Sequence, residues 1–266
     1  LVAMPPAVAG DYMSLRLMTY NVHNCIGTDR QTDIERIAAI VRRQAPDVVA
    51  VQEVDSATQR SGGRYVLGEL ASLIGMHANF ARAIDFQGGA YGIGVLSKRK
   101  PLSCTMCPLP GREEERALLV VEFPEFFFAC THLSLTEADR MGALATIERM
   151  ASGSGKPFFI AGDLNANPAD GFMSAFGQSF NVLSDQTEHT FPATEPEVTI
   201  DYIAVDRRHA AAAKTVKQQV LPERLASDHR PIVVDILIRC IRQESAKSTG
   251  ASNIYYYTLK GIIAAI

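Results

Sequence analysis

Residues 158–165 read Phe-Phe-Ile-Ala-Gly-Asp-Leu-Asn, an apolar run that ends abruptly in polar residues. The run is rich in aromatic and β-branched residues, which predicts a strand buried on both faces. On an extended backbone Asp163 and Asn165 lie two positions apart, so we expect their side chains on the same face. A carboxylate beside a carboxamide at this point suits the positioning of a water molecule and an anionic oxygen. Gly, Asp and Asn are also typical of a turn, which is the structural alternative.

Composition limits the classes of protein to consider. A chain of 266 residues with 47 % apolar content can form one large α/β domain or two small ones, and no linker divides its body. The net charge of −3 gives no overall basic footprint for nucleic acid, although a local groove can still be basic. No apolar run approaches the ~20 residues that span a bilayer. Nothing indicates a protein partner.

The ends of the chain differ in composition from its body. We expect an N-terminal extension at 1–14, a single domain at 15–240 and a C-terminal tail at 241–266. Ala7-Val8-Ala9 resembles a signal-peptidase site, so the extension could be a processing remnant, but no charged segment precedes it. Met13 is an equally good start for a cytosolic protein, and a cytoplasmic location is favoured over secretion. The tyrosine-rich tail is interpreted as an extension outside the domain.

The five cysteines do not form a disulfide framework, because their number is odd and their positions are scattered. Cys104 and Cys107 form a Cys-x-x-Cys pair in a stretch that we interpret as a loop before Pro108. A zinc site is disfavoured because no second pair accompanies it. Two interpretations of this pair stay open: the two cysteines form a small local disulfide, or they have no special role.

Hydrophobic periodicity predicts alternating strands and helices. The further strands are expected at 15–20, 47–52, 78–81, 91–97, 116–123, 126–131, 199–205 and 232–238, and the helices at 34–45, 65–74, 137–150 and 172–176. Asp33 is the expected N-cap of the first helix, and Pro46 follows its end. Two successive rounds of strand and helix indicate two packed sheets with helices outside them.

Several predicted strands end in, or are preceded by, a polar residue of a catalytic type. These residues are Asn21, Glu53, His132, Asp163, Asn165, Asp201, Asp228 and His229. Mg²⁺ prefers oxygen ligands, commonly one or two carboxylates with a substrate phosphate. Glu53 and Asp228, with Asn21, could therefore bind it.

In-line attack on phosphorus requires a positioned water and stabilisation of the phosphoryl oxygens. Asp163 could orient or deprotonate that water, while Asn165, His132 and His229 could contact the phosphoryl oxygens. Asp201 could fix the tautomer of His229.

Each candidate also has a structural interpretation. Glu53 could be an exposed residue after a strand, His132 a hydrogen-bonded structural histidine, and Asp228 part of a turn before a proline. Asp201 is harder to explain in this way, because an unpaired carboxylate inside an apolar strand is costly. His23 and Asn24 are interpreted as solvated loop residues.

The order of these motifs resembles the endonuclease/exonuclease/phosphatase family, the deoxyribonuclease-I-like metal-dependent hydrolases. The motifs are Tyr20-Asn21, Gln52-Glu53-Val54-Asp55, Tyr91-Gly92, Thr131-His132-Leu133, Gly162-Asp163-Leu164-Asn165, Ile200-Asp201-Tyr202-Ile203 and Ser227-Asp228-His229. The resemblance covers roughly residues 15–238. It implies a four-layer αββα sandwich of two mixed β-sheets with helices on both outer faces, and Mg²⁺, or Mn²⁺ in its place, as cofactor.

The resemblance also implies a role for each residue. The metal site would contain Asn21, Glu53 and Asp228; the catalytic group would be His132, Asp163, Asn165, Asp201 and His229; and the substrate would be contacted by Arg116 and Tyr91. Gln-Glu-Val-Asp with an Asp-Tyr-Ile strand is more similar to deadenylase-like and small bacterial members than to base-excision endonucleases or inositol-polyphosphate phosphatases.

These observations predict a Mg²⁺-dependent phosphodiesterase. Its substrate would be a nucleic acid, a phospholipid headgroup or a small phosphate ester. A phosphomonoesterase acting on a sugar or inositol phosphate is the alternative enzyme, and a phosphate-binding module without catalysis is the alternative from another class.

Overall fold

Residues 12–239 are described by a computed structural model, and they form two six-stranded β-sheets. The strands are β1 (Tyr12–Asn21), β2 (Val48–Ser56), β3 (His77–Phe86), β4 (Gly89–Ser97), β5 (Ser103–Leu109), β6 (Arg116–Glu122), β7 (Phe127–His132), β8 (Phe158–Asp163), β9 (Phe180–Val182), β10 (Asp201–Asp206), β11 (Ala213–Val220) and β12 (Ile232–Arg239). The α-helices are α1 (Ile34–Gln44), α2 (Val66–Ile74), α3 (Glu137–Ser152) and α4 (Gly171–Ser179).

The two sheets share one plan. The first has the order β11-β12-β1-β2-β4-β3 and the second has β5-β6-β7-β8-β10-β9. Each contains a single parallel pair, β1 with β2 and β7 with β8, and its other neighbours are antiparallel. Helices α1 and α3 make the crossovers that a parallel pair requires. The strands β12 and β10 then run antiparallel beside β1 and β8.

Three apolar cores separate four layers of structure. One core lies between the sheets, a second lies under α1 and α2, and a third lies under α3 and α4. In β8, Phe159 and Ala161 face the core between the sheets, whereas Phe158 and Ile160 face the helices. The strand is therefore buried on both faces, which explains its continuous apolar run. The predicted αββα sandwich is confirmed.

Helix α1 shows how the sequence specifies the outer layer. Asp33 caps the helix by accepting a hydrogen bond from the backbone N–H of Arg36, as predicted. Its buried residues share one face, which packs on the first sheet: Ile34, Ile37, Ala38, Ile40 and Val41. Ala45 ends the helix in the left-handed conformation, directly before Pro46.

The structure corrects several boundaries. The segment containing Cys104 and Cys107 is strand β5 and not a loop. Residues three apart on a strand point to opposite faces, so these two thiols cannot form the local disulfide that was left open, and both are free. Strand β1 begins at Tyr12, inside the expected extension. Asp201 is the first residue of β10 and not an interior one. Strands β9 and β11 were not predicted.

The expected cleavage site and the tyrosine-rich tail lie outside the described residues. None of the helices within 12–239 is long and apolar enough to cross a membrane.

Candidate active site

The topology brings the polar strand ends of both sheets to one edge. Asn21 ends β1 and His132 ends β7, while Asp163 ends β8. Asp201 begins β10, which is antiparallel to β8, so it lies at the same edge and pairs directly with Asp163. His132 pairs with Asp163 from the other side. Three side chains from adjacent strands therefore stand in one row.

Gly162 makes this row sterically feasible. Its φ is +151°, and a Cβ there would lie 1.9 Å from the carbonyl oxygen of Thr131 on β7. Any side chain would separate β7 from β8 at the point where His132 meets Asp163. The glycine in this motif therefore fixes the close approach of the two strands.

Asp163 is the centre of the site. Its Oδ2 accepts a hydrogen bond of 3.2 Å from Nδ2 of Asn21. The Nε2 atoms of His132 and His229 lie 3.5 and 3.7 Å from the same oxygen. Nδ2 of Asn21 also donates to Oε1 of Glu53 at 2.9 Å, which connects Glu53 to the group. The two sheets thus meet through direct contacts among their strand-end side chains.

Burial controls the protonation of Asp163. The side chain is only 2 % exposed. Burial, and the nearby negative charge of Asp201, raise the pKa of Asp163 to about 7. A carboxylate with a pKa near neutrality is suited to accept a proton from water at physiological pH.

His229 is held by Asp201. Its Nδ1 lies 2.9 Å from Oδ2 of Asp201, and both residues are buried. Burial alone would lower the pKa of His229, but the charge and hydrogen bond of Asp201 outweigh it and raise the pKa to about 10. The imidazolium is therefore the stable form at neutral pH. The ring of Phe191 packs 4.8 Å from the imidazole, centroid to centroid, and forms one wall around it.

His132 has the opposite protonation. Burial lowers its pKa well below the usual value, and the positive charges of Arg116 and His229 add to this effect. Neutral His132 and cationic His229 thus stand on either side of Asp163. The two histidines can donate hydrogen bonds to different oxygens of one tetrahedral anion.

Asn165 does not continue the extended backbone of β8. Its φ is +49°, and its Nδ2 donates to the carbonyl oxygen of Leu133 at 2.8 Å. The expectation of two side chains on one extended face is therefore wrong for this pair. The backbone N–H of Asn165 instead donates to Oδ1 of Asp163 at 2.9 Å, which orients the carboxylate.

Arg116 and Tyr91 lie beside this group. Arg116 is buried, and its Nη1 donates to Glu114 at 3.0 Å, while its buried Nε has no hydrogen-bond partner in the described part of the chain. Burial raises the pKa of Tyr91, and the negative charges of Glu53 and Glu114 add to it. The hydroxyl of Tyr91 is consequently a neutral hydrogen-bonding group.

The side chain of Asp228 approaches Ser227 and His23. Its Oδ1 accepts from Ser227 at 3.3 Å and lies 3.8 Å from Nδ1 of His23. Within residues 12–239, no hydrogen bond joins it to either predicted metal ligand. Its neighbour Ser227 does donate to the carbonyl oxygen of Asn21, at 2.7 Å.

The side chains present fit a divalent cation. Ligand atoms of Asp163, Asp201 and His229 lie within 4.8 Å of one another, and Glu53 is joined to them through Asn21. Oδ1 of Asp201 is buried without a hydrogen-bond partner among the described residues. An excess of buried carboxylate oxygen is stabilised by a hard cation such as Mg²⁺. Because Asp201 keeps His229 in the imidazolium form, both ring nitrogens carry protons, and the oxygens of Glu53 and Asn21 suit this role better than its imidazole.

Comparison with protein families shows which family the chain belongs to. The sequence profile of the Endonuclease/Exonuclease/phosphatase family matches residues 18–229, which include every predicted site residue. The chain belongs to this family. Members of the family are phosphoester hydrolases that generally depend on a divalent metal, so this endonuclease/exonuclease/phosphatase protein is a phosphoester hydrolase. A comparison with curated protein sequences found no match.

Solved structures share the fold of this family member. An endonuclease/exonuclease/phosphatase from Beutenbergia cavernae is 23 % identical, with a TM-score of 0.66 over 85 % of this chain and 72 % of that one. The mannosyl-6-phosphatase Bt3783 of Bacteroides thetaiotaomicron is 16 % identical, with a TM-score of 0.67 over 84 % and 99 %. The catalytic domain of human nocturnin, with bound sulfate, is 20 % identical, with a TM-score of 0.63 over 88 % and 99 %. At these identities the likeness concerns the fold alone.

Sequence reasoning missed two features of this family member's site. Glu53 has a φ of +60°, a left-handed conformation that costs a non-glycine residue about 1–3 kcal/mol. Asn24, interpreted as a solvated residue, accepts a hydrogen bond from Arg60. The sequence around Glu53 contains no pattern of residue types that predicts its left-handed backbone conformation. The glycines at 62 and 63 could have indicated an ordered loop that presents Arg60.

Proposed function

We propose that this hydrolase is a Mg²⁺-dependent phosphodiesterase of nuclease or phospholipid-headgroup type, with Mn²⁺ as a substitute. The observation that carries the proposal is the contact of one buried carboxylate, Asp163, with Asn21, His132 and His229. In this proposal Glu53 and Asn21 hold the cation, with Asp228 as a further carboxylate at this edge. The bound cation would neutralise negative charge on the phosphoryl group.

The residues of the chain supply the remaining chemistry. Asp163 accepts a proton from water, whose oxygen bonds to phosphorus as the bond from phosphorus to the leaving oxygen breaks. Cationic His229 and neutral His132 donate hydrogen bonds to phosphoryl oxygens. Asp201 keeps His229 protonated and oriented. Arg116, whose buried Nε has no hydrogen-bond partner within residues 12–239, and the Tyr91 hydroxyl contact the phosphate group on the side of Glu53.

Hydrolysis of bis-nitrophenyl phosphate tests the proposal, measured with Mg²⁺, with Mn²⁺ and with chelator. Asp163→Asn should reduce turnover at least 100-fold, the range expected for loss of a general base. Asp85→Asn is the matched control, because its side chain is 78 % exposed and lies in the β3 strand. Turnover in chelator, or a near-normal Asp163→Asn variant, would contradict the assigned chemistry.

The same assay separates the monoester alternative. If nitrophenyl monophosphate is hydrolysed and the diester is not, the protein is a phosphomonoesterase, the activity named for the Bacteroides thetaiotaomicron neighbour. Phosphate binding without turnover of either ester would indicate a binding module.

A further inference from the structure

Glu53 lies at an irregularity of strand β2. Val51 pairs with Gly94 on β4 and Val54 pairs with Gly92, so two residues of β2 oppose one of β4. Glu53, one of the two, adopts the left-handed conformation. Such a conformation persists only where the surrounding structure holds it in place. The neighbours of this bulge therefore determine where the carboxylate of Glu53 stands.

Arg60 fixes the chain immediately after the bulge. Its Nε and Nη2 donate to the two carboxylate oxygens of Asp55 at 2.6 and 2.8 Å. Asp55 is 1 % exposed and also accepts a hydrogen bond from Thr58 at 2.9 Å. A two-pronged contact of this kind fixes geometry as well as charge. Asp55 stands two residues after Glu53, so Arg60 anchors the strand on that side.

The same guanidinium also holds the segment that follows Asn21. Its Nη2 donates to Oδ1 of Asn24. Asn24 lies in a left-handed turn, in which residues 23, 24 and 25 have φ values of 44°, 53° and 60°. The aromatic rings of Phe86 and Tyr91 lie 4.5 and 5.3 Å from the guanidinium carbon and restrict its movement.

We propose that Arg60 is a positioning residue for the cation site. It joins the segment after Asn21 to the segment after Glu53, and thereby sets the distance between these two side chains. This inference rests on the proposed function, since it assumes that Asn21 and Glu53 hold the cation. Arg60 itself is assigned no contact with the cation or with the reacting phosphate.

The experiment measures Mn²⁺ binding directly, by electron paramagnetic resonance of the free ion, in the absence of substrate. Arg60→Gln and the milder Arg60→Lys are compared with wild type and with Glu53→Gln as the reference for a lost ligand. Arg64→Gln is the matched control, because Arg64 lies on the same loop but its guanidinium donates to Glu69 and not, within residues 12–239, to Asn24 or Asp55. A double variant, Asp55→Asn with Arg60→Gln, removes the buried charge of Asp55 that Arg60→Gln alone leaves unpaired. Urea unfolding establishes that each variant is folded.

We expect the Kd for Mn²⁺ to rise at least tenfold in Arg60→Gln and in the double variant, less in Arg60→Lys, and not at all in Arg64→Gln. A normal Kd in the folded double variant, together with a weakened one in Glu53→Gln, would overturn the role of Arg60 alone. An unchanged Kd with a raised KM would also overturn it, because Arg60 would then act on the substrate. Absence of Mn²⁺ binding and of metal-dependent turnover in wild type would instead refute the proposed function.

Discussion

Replacing Asp201 by asparagine tests the pairing of charges in the site. Asp201 and His229 approach to 2.9 Å, which places the centres of their charges about 4 Å apart. At an effective dielectric constant of about 20, that attraction is worth about 4 kcal/mol, equivalent to a change of about 3 in the pKa of His229. Because the pKa of His229 is about 10 in the native protein, it should fall to about 7 or below in Asp201→Asn.

The kinetic consequence depends on pH. Above pH 7, most of the His229 population would lose its proton, and the ring would lose the hydrogen bond that orients it. At pH 8 about one-tenth of the His229 population would keep its proton, so we expect kcat/KM for the bis-nitrophenyl diester to fall about tenfold or more. The deficit relative to wild type should narrow towards pH 6, because lower pH returns the proton to His229. The assay is a pH profile of kcat/KM, accompanied by an NMR titration of the His229 ring.

The opposite end of the same strand provides the control. Asp206 is also buried and lies 2.9 Å from a histidine, His209, but it is the last residue of β10. Asp206→Asn should alter stability and leave the pH profile of the folded enzyme unchanged. The reasoning is refuted if the Asp201→Asn deficit is constant across pH, or if the pKa of His229 does not move.

Three further expectations follow from the geometry. Gly162→Ala should lower the free energy of unfolding in urea by about 3 kcal/mol or more, because the added Cβ would meet the carbonyl oxygen of Thr131. Gly155→Ala is the control and should change the stability little, because open space surrounds Gly155. Equal stabilities of the two variants would contradict the steric argument. Without metal, the free energy of unfolding should fall as pH rises from about 4 to about 7. The reason is that native Asp163, with its pKa raised to about 7, keeps a proton that the unfolded chain has lost. The same pH dependence of stability in Asp163→Asn would exclude this cause. Alkylation at pH 8 should modify the exposed thiol of Cys104 rapidly. It should spare Cys25 and Cys130, because both thiols are buried and have pKa values of about 12. Peptide mass spectrometry measures the labelling, and rapid labelling of either buried thiol would contradict the expectation.

Burial explains why some strands were predicted and others were missed. Strand β8 was predicted because both of its faces are covered, so that nearly every residue is apolar. Strands β5 and β11 were missed because they lie at sheet edges and are mostly exposed, and Pro108 in β5 resembles a loop signal. A proline is tolerated there because an edge strand leaves some of its N–H groups unpaired. Edge strands therefore carry little of the pattern on which sequence reasoning depends.

Most of the residues that meet around Asp163 were named from the sequence, whereas their geometry was not. The hydrogen bond between Asp201 and His229, which the sequence analysis expected, is present in the structure. The left-handed conformations of Glu53 and Asn165 were not foreseen, because tertiary contacts impose them. The contact of Arg60 with Asn24 and Asp55 joins residues from separate segments, and no local spacing signals it.

The position of strand β12 has a consequence for synthesis of the chain. Strand β12 pairs with β1 from Tyr12, opposite Arg239, to Thr19, opposite Ile232, although more than two hundred residues separate the partners. His229 reaches the edge of the sheet only when this late strand docks. A nascent chain in which β12 has not yet docked therefore contains Asn21 and Glu53 but lacks the imidazolium of His229 at this edge. In the proposed mechanism, hydrolysis would therefore begin only when β12 docks, and chains in which β12 has not docked would be inert towards phosphoesters.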